Sequence, residues 1–455
     1  MKYVSTRDNS KEYSFEDVFI KGLADDGGLY VPISLKKYSS QELQELKKLN
    51  YNELSSEIIN QFSSDFISKK ELSSLIKKSY STFREKEVVI LSNVGEIKLL
   101  ELFHGPTLAF KDIAMQFIGN LYEYYLTKNN KKINIVVATS GDTGAAAIDA
   151  IKGKSNLNIF VLHPNNRISS VQRKIMTTVE EKNVFNIAIE GNFDDCQNIV
   201  KSMFSDLEFS KSINMSGVNS INWARIIAQA VYYFYSYFRL DKENISFSVP
   251  TGNFGDVFAG YLAKQMGLPI NKLIVATNEN DILHRAISKG DYVSKEVRET
   301  LSPSMDIQLA SNFERLIYYV NNSDSSKTAE IMKKVKHNSY QIEKNNLDII
   351  QKDFLSESCN EQETLEIIKK NYEENNIILD PHTAVGVGAI KKLSFKDCVA
   401  LSTAHPCKFP DATKNAINMH EKLPEKLQHV LDKKENFHVL KNNTQDVKNF
   451  IKSKL

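Results

Sequence analysis

Short apolar runs alternate with amphipathic segments along most of this chain, beginning near Glu96. The runs Ile97–Phe103, Ile133–Thr139, Asn158–His163, Val184–Glu190, Ile245–Val249, Lys272–Thr277 and Asp397–Thr403 have the length and β-branched content of buried strands. Between them, apolar positions three and four apart predict helices over Asp112–Leu126, Thr143–Lys152, Ser169–Val179, Phe193–Phe204, Ser220–Leu240, Asp256–Met266 and Thr383–Leu393. Gly and Pro punctuate the junctions, as at Gly252, Gly267–Pro269 and Asp380-Pro381. Strands that alternate with helices in this way predict an α/β fold with mostly parallel sheets.

The first 92 residues read differently. Their patterns are mainly helical, as in Ser40–Leu49 and Tyr51–Phe62, and they are expected to form a separate N-terminal domain joined near Val88–Glu96. Residues 93–455 form the expected main α/β region. Within it, a smaller α/β subdomain is expected over about 112–215 and a larger one over about 216–455 together with 93–111. The charge-rich stretch Asn312–Asn376 reads as a helical insertion or outer layer.

Length and composition narrow the classes of function. At 455 residues the chain can hold two or three domains, and its 42% hydrophobic and 25% charged content is that of a soluble globular protein. A net charge of +2 gives no field for nucleic acid or a membrane surface. The Lys-rich end, Lys441–Leu455, reads as a solvated amphipathic segment. No run approaches the ~18 apolar residues of a membrane span, and Val231–Phe238 reads as part of a buried helix. Cys196, Cys359, Cys398 and Cys407 make neither a CxxC pair nor a metal-ligand spacing, which fits a reducing, cytoplasmic setting. The polar N-terminus has no signal-peptide core.

Four strand ends carry unusual chemistry. The first is His104-Gly-Pro-Thr-Leu-Ala-Phe-Lys-Asp112, in which Lys111 falls where a helix begins. The positive end of the helix dipole disfavours an ammonium there and favours a free, nucleophilic amine. The second, Ser140-Gly-Asp-Thr-Gly144, is a strand-to-helix turn rich in hydroxyls and N–H groups, suited to a carboxylate or phosphate. Asp142 there can cap the helix or bond a ligand hydroxyl. The third, Pro250-Thr-Gly-Asn-Phe-Gly-Asp256, reads either as a Gly-rich capping turn with Asp256 as cap or as a phosphate cradle without any arginine. It matches neither a Walker loop nor a dinucleotide fingerprint. The fourth is Ser402-Thr-Ala-His-Pro406, where a hydroxyl of Ser402 or Thr403 can face a heterocycle nitrogen and leave it unprotonated. His104, His382 and His405 show no metal spacing; His382, after Asp380-Pro381, reads as a helix-entry residue, and no Gly-x-Ser-x-Gly elbow completes a hydrolase. Arg7 is a further candidate contact for an anion.

An amine nucleophile, a phosphate cradle and a hydroxyl for a ring nitrogen together suit pyridoxal 5'-phosphate. With these four motifs, and with Tyr3–Arg7 and Gly22–Pro32 at the start, the chain resembles the threonine synthase family in its longer, enterobacterial and fungal form. The resemblance runs from end to end. It implies a fold-type-II arrangement, tryptophan-synthase-β-like, in which two α/β domains close over the cofactor, and a monomer. By position, Lys111 would bond the cofactor, Gly252, Asn253, Phe254 and Asp256 would line its phosphate, and Thr403 would face its ring nitrogen. The implied reaction takes O-phospho-L-homoserine and water to L-threonine and phosphate, with Lys111 as general base. A second phosphate needs a second anion site, for which Ser140, Asp142, Thr143, Arg7 and Lys408 are the candidates. Asp8 stands where the family pattern has glycine, and Cys407 where alanine is common, so an exposed Cys407 would make the site sensitive to oxidation. The alternatives are a phospholyase of the same family, which yields 2-oxobutyrate, ammonia and phosphate, and a non-catalytic binding paralogue.

Overall fold

The computed structural model describes residues 1–240 and 242–455. Two parallel sheets carry the fold. The six-stranded sheet runs in the order Phe354–Ser358, Leu273–Thr277, Ser246–Pro250, Cys398–Ser402, Ile97–Glu101, Ile90–Val94. Its neighbours are parallel except at the hairpin Ile90–Val94/Ile97–Glu101. The five-stranded sheet, also parallel, runs His438–Lys441, Val184–Glu190, Leu157–Pro164, Ile133–Ala138, Met215–Ser216. Central strands such as Leu273–Thr277 are buried at every position, as a parallel sheet covered on both faces requires. All seven strands and seven helices expected from the pattern form, with ends shifted by a few residues.

Three expectations about organisation do not hold. The N-terminal segment has no core of its own: Phe19 meets Tyr122 at 4.4 Å between ring centroids, and Tyr3 meets Trp223 at 6.2 Å, within one continuous apolar cluster. Its helices still start autonomously, because Ser14, Ser39, Asn50 and Ser68 each close a capping box. The presumed joint near residue 92 lies inside the edge strand Ile90–Val94. The stretch Asn312–Asn376 is not wholly helical, since Phe354–Ser358 forms the opposite edge of the same sheet. Finally, the chain ends in the smaller lobe, not the larger. His438–Lys441 pairs with Val184–Glu190, and the helix Thr444–Ser453 buries Val447 and Ile451 in that lobe's core.

At the centre lies the helix Trp223–Phe238, every residue of which is buried. A helix apolar all round belongs inside a large core, and this one packs among Tyr51–Ser63, Lys111–Asn129 and Gly255–Gln265. The register pairs Leu401 with Leu100 and Ala400 with Ser248, so the strands ending at Glu101, Pro250 and Ser402 finish at one edge. Beyond that edge ligands of open α/β sheets bind.

The helices Lys111–Asn129 and Asp142–Ile151 cross closely enough that a Cβ on Gly119 would stand 2.4 Å from the carbonyl oxygen of Ala150. Each of these helices begins with a residue of the site, so this approach sets the spacing of Lys111 and Asp142. Gly119→Val is therefore expected to push the helices apart and destabilise the protein by about 1–3 kcal/mol. A lowered midpoint of urea unfolding would register it, whereas an unchanged midpoint would show that the crossing tolerates side-chain volume.

Candidate active site

The turn before Lys111 is built by its neighbour. The buried carboxylate of Asp112 accepts from the Thr107 N–H (2.8 Å) and from Thr107 Oγ1 (2.5 Å). A Cβ on Gly105 would lie 2.3 Å from the Asp112 side chain, so only glycine fits there. Burial pushes the Asp112 carboxyl up to about 6. The turn is tied to the fourth motif through two backbone bonds. The Phe110 N–H donates to the Thr403 carbonyl (2.8 Å), and the His405 N–H donates to that of Leu108 (3.0 Å).

Lys111 opens the helix Lys111–Asn129, as the pattern implied, and its ammonium is buried. Its Nζ lies 3.2 Å from Asp142 Oδ2 and 3.4 Å from Ser304 Oγ. Burial lowers its proton affinity most, Asp142 opposes the shift, and the positive charges of Lys408 and Arg225 add to it. Burial is thus the first cause, rather than the helix end alone. Lys408 is fully buried; its Nζ lies 2.6 Å from Asp142 Oδ1 and donates to the Thr107 carbonyl at 2.8 Å. Gln172 Nε2 also donates to Asp142 Oδ1 (2.9 Å). Burial alone would raise the Asp142 carboxyl, but Lys408 and Lys111 outweigh it and hold it well below the ordinary range.

Neither capping role expected of the acidic residues is found. Thr139 Oγ1 caps the second turn by accepting from the N–H groups of Gly141 (2.9 Å) and Gly144 (2.8 Å), which leaves Asp142 to the lysines. The helix Gly255–Gln265 follows Phe254, at φ 62°, with no side-chain cap. Asp256 instead turns to the central helix. Tyr233 donates to its Oδ1 at 2.9 Å and Tyr232 donates to the same oxygen, while Oδ2 is buried without a partner. Burial pushes this carboxyl up to about 6. The N–H groups of Gly252, Asn253, Phe254 and Gly255 have no acceptor among the described residues. A Cβ on Gly252 would meet the Ser304 carbonyl at 2.4 Å, so the segment Ser302–Asp306 crosses directly over this loop.

One pocket is lined by Lys111, Asp142, Thr143, Thr403 and the whole loop Gly252–Asp256. Thr403 rather than Ser402 faces it, since the Ser402 hydroxyl bonds that of Thr383 (3.1 Å) on the other side of the strand. Several candidates lie elsewhere. Arg7 forms a two-pronged pair with Glu314 (2.7 and 2.8 Å) and does not line the pocket. Ser140 does not line it either, and Lys408 reaches it only through Asp142. His104 pairs with Glu101 (3.0 Å). His405, pushed down to about 4 by burial and then by Arg84, accepts from the Cys407 N–H (3.3 Å). Cys407 is buried and its thiol is pushed up to about 12, so the oxidation-sensitive site does not arise.

Sequence reasoning missed several lining residues, among them Ser304, His382, Arg225 and Gln229. Ser304 comes from the crossing segment. His382, expected only to enter a helix, also lines the pocket; its Nδ1 bonds Asp380 Oδ1 (2.9 Å) and its Nε2 accepts the Ser304 N–H (3.2 Å). Arg225 and Gln229 come from the central helix. A lone Arg and Gln four residues apart in an otherwise apolar helix were the available signal.

These groups fit pyridoxal phosphate. A buried amine with lowered proton affinity suits a carbonyl carbon, free N–H groups at a helix start suit a phosphate, and a neutral hydroxyl suits a ring nitrogen. Among the described residues no cluster of ligands suits a metal ion, and no helix is long and apolar enough to cross a membrane.

The elevated Asp256 carboxyl has a consequence for stability. In the folded chain it keeps its proton to about pH 6, whereas unfolded it ionises near the ordinary value, so folding binds a proton between about pH 4 and 6. Its contribution is favourable below that window and is lost as the pH rises through it. Relative to Asp256→Asn, the cofactor-free wild type is expected to lose on the order of 2–3 kcal/mol between pH 4 and 7. Parallel pH profiles of unfolding free energy for the two proteins would show a carboxyl of ordinary affinity instead.

Comparison with known proteins agrees with the geometry. A family model for the threonine synthase N terminus matches residues 2–80, one for pyridoxal-phosphate dependent enzymes matches 97–333, and one for the threonine synthase C-terminal region matches 383–451. Threonine synthase from Saccharomyces cerevisiae is 46% identical over 457 residues, covering 91% of this chain and 89% of its own. That from Pseudomonas aeruginosa is 43% identical and covers 99% and 98%. The crystal structure of pyridoxal-phosphate-bound threonine synthase from Brucella melitensis superposes with a TM-score of 0.96 at 43% identity, covering 100% of this chain and 99% of that one. The chain belongs to the threonine synthase family of pyridoxal-phosphate-dependent enzymes.

Proposed function

We propose that this chain converts O-phospho-L-homoserine and water to L-threonine and phosphate, with Lys111 as the residue that bonds the cofactor and moves the protons. The observation that most supports this reading is a buried amine fixed by Asp142 at 3.2 Å, in a pocket walled by free N–H groups of Gly252–Gly255. When bound, pyridoxal phosphate supplies the electron sink that stabilises negative charge beside the substrate's amino group.

In this reading Gly252, Asn253, Phe254 and Asp256 hold the cofactor's phosphate and the Thr403 hydroxyl faces its ring nitrogen. Once the substrate's amine has displaced it, Lys111 Nζ removes the proton from the α-carbon. Its lowered proton affinity supports that role, since a good base at neutral pH must begin as the free amine. Asp142 and Ser304 hold the nitrogen in place, and Lys408, bonded to Asp142 and to the Thr107 carbonyl, anchors the carboxylate. A further proton leaves the β-carbon as the γ-phosphate departs, and a proton is delivered to the γ-carbon, which becomes the methyl group. Water adds its hydroxyl at the β-carbon, and a proton returns to the α-carbon. Thr143, at the start of the helix Asp142–Ile151, is the candidate for the departing phosphate; Arg7 and Lys408 are committed to carboxylates and drop out of that role. We also propose a cytoplasmic monomer. Four unpaired thiols support the reducing compartment, and the family resemblance supports the single chain.

Lys111→Ala is expected to lower turnover at least ~10³-fold, as loss of a general base does, while the chain still folds. Steady-state phosphate release checks this, and near-normal turnover would remove Lys111 from the chemistry. Product analysis with O-phospho-L-homoserine tests the overall reaction. Equimolar threonine and phosphate are expected, and 2-oxobutyrate with ammonia would make the protein a phospholyase instead.

A further inference from the structure

Two arginines lie buried at the central helix Trp223–Phe238, Arg225 within it and Arg315 beside it, in opposite states. Each nitrogen of Arg315 donates to the protein. Its Nε donates to the Tyr30 carbonyl (3.1 Å), Nη2 to that of Ile221 (2.6 Å) and Nη1 to Asn312, and its guanidinium lies over the Trp223 ring at 5.3 Å. Arg225 is 4% exposed and lines the pocket. Its Nη1 donates to the Val218 carbonyl at 3.2 Å, but its Nε is buried without an acceptor. Among the described residues no carboxylate lies within ion-pair distance of it. A guanidinium has five N–H donors, and a buried cation without a counter-charge costs free energy until an anion arrives. Burial pushes Arg225 down only to about 10, so it remains a cation at neutral pH.

Its position says which anion. Arg225, Gln229, Tyr232 and Tyr233 fall on one face of the helix, four, seven and eight residues from the first. The two tyrosines grip Asp256 of the facing helix, which fixes the loop Gly252–Gly255 relative to that face. The same pocket therefore presents a guanidinium, four free N–H groups and a helix N-terminus, a combination suited to a phosphate monoester dianion.

We propose that Arg225 is the cationic wall of the site in which the Gly252–Asp256 loop holds the cofactor's phosphate. This inference rests on the reading of that loop as the phosphate loop. It replaces the expectation of a cradle without an arginine: the charge comes from a helix that precedes the loop by about thirty residues in sequence and is adjacent to it only in the fold.

The test compares pyridoxal 5'-phosphate with pyridoxal, which lacks the phosphate, as ligands of the full chain stripped of cofactor. Dissociation constants are measured for wild type, Arg225→Gln and Arg225→Lys. Loss of charge-assisted bonds to a phosphate is expected to weaken pyridoxal phosphate about 30-fold or more in R225Q and to leave pyridoxal little changed, with R225K between. Equal weakening of both ligands in folded R225Q, or of neither, would overturn the proposal. So would unchanged cofactor affinity with a raised KM for O-phospho-L-homoserine, which would move the guanidinium to the substrate's phosphate. Circular dichroism of the cofactor-free variants identifies a folding defect; if R225Q shows one, R225K decides by the same ligand comparison. If the loop is not the phosphate loop, wild type itself will bind pyridoxal as tightly as its phosphate.

Discussion

A single carboxylate between two buried ammonium groups is the constraint on which the site depends. Asp142 holds Lys408 with one oxygen and Lys111 with the other, 2.6 and 3.2 Å away. Burying three charges costs several kcal/mol each before their attraction is counted, so such a cluster persists only where the geometry is fixed from several sides. Here it is. Thr139 relieves Asp142 of helix capping, Gln172 takes a further lone pair, and Lys408 spends a proton on the Thr107 carbonyl within the turn that carries Lys111. The result is an amine that yields its proton more readily than an ordinary lysine and is held in one place.

The surrounding architecture serves that arrangement. Gly119 lets the two helices that begin with Lys111 and Asp142 approach to backbone contact, and Gly252 lets the segment bearing Ser304 cross the loop Gly252–Asp256. The central helix fills the space behind, buried at every residue, and turns Arg225 and Gln229 toward the pocket. Its tyrosines hold Asp256 and its arginine lines the pocket, so a helix that is mostly apolar by composition also contributes a charged group there.

Much of this was legible in the sequence, and the reasons are particular. Strands such as Ser246–Pro250 are buried on both faces, so they appear as unbroken apolar runs. Phe354–Ser358 and Ile90–Val94 are sheet edges with half-exposed residues, and nothing in their composition separates them from neighbouring polar segments. The motifs around Lys111, Asp142, Gly252 and Thr403 stood out because loops at strand ends carry chemistry in compact, local form. Arg225 and His382 did not, since each sits in a helix and acquires its role from the residue across the pocket.

The sequence by itself determined the alternation of strands and helices, the lysine at a helix start and the family, because these depend on local pattern and on contiguous motifs. Only the tertiary structure decided that the N-terminal helices share the main core, that the chain ends in the smaller lobe, and which polar residues meet. Those outcomes depend on contacts between segments a hundred or more residues apart, such as Lys408 with Asp142 and Arg7 with Glu314. A charge in the sequence has no partner until folding supplies one, and its partner decides whether it binds a ligand or only balances the protein's own charge.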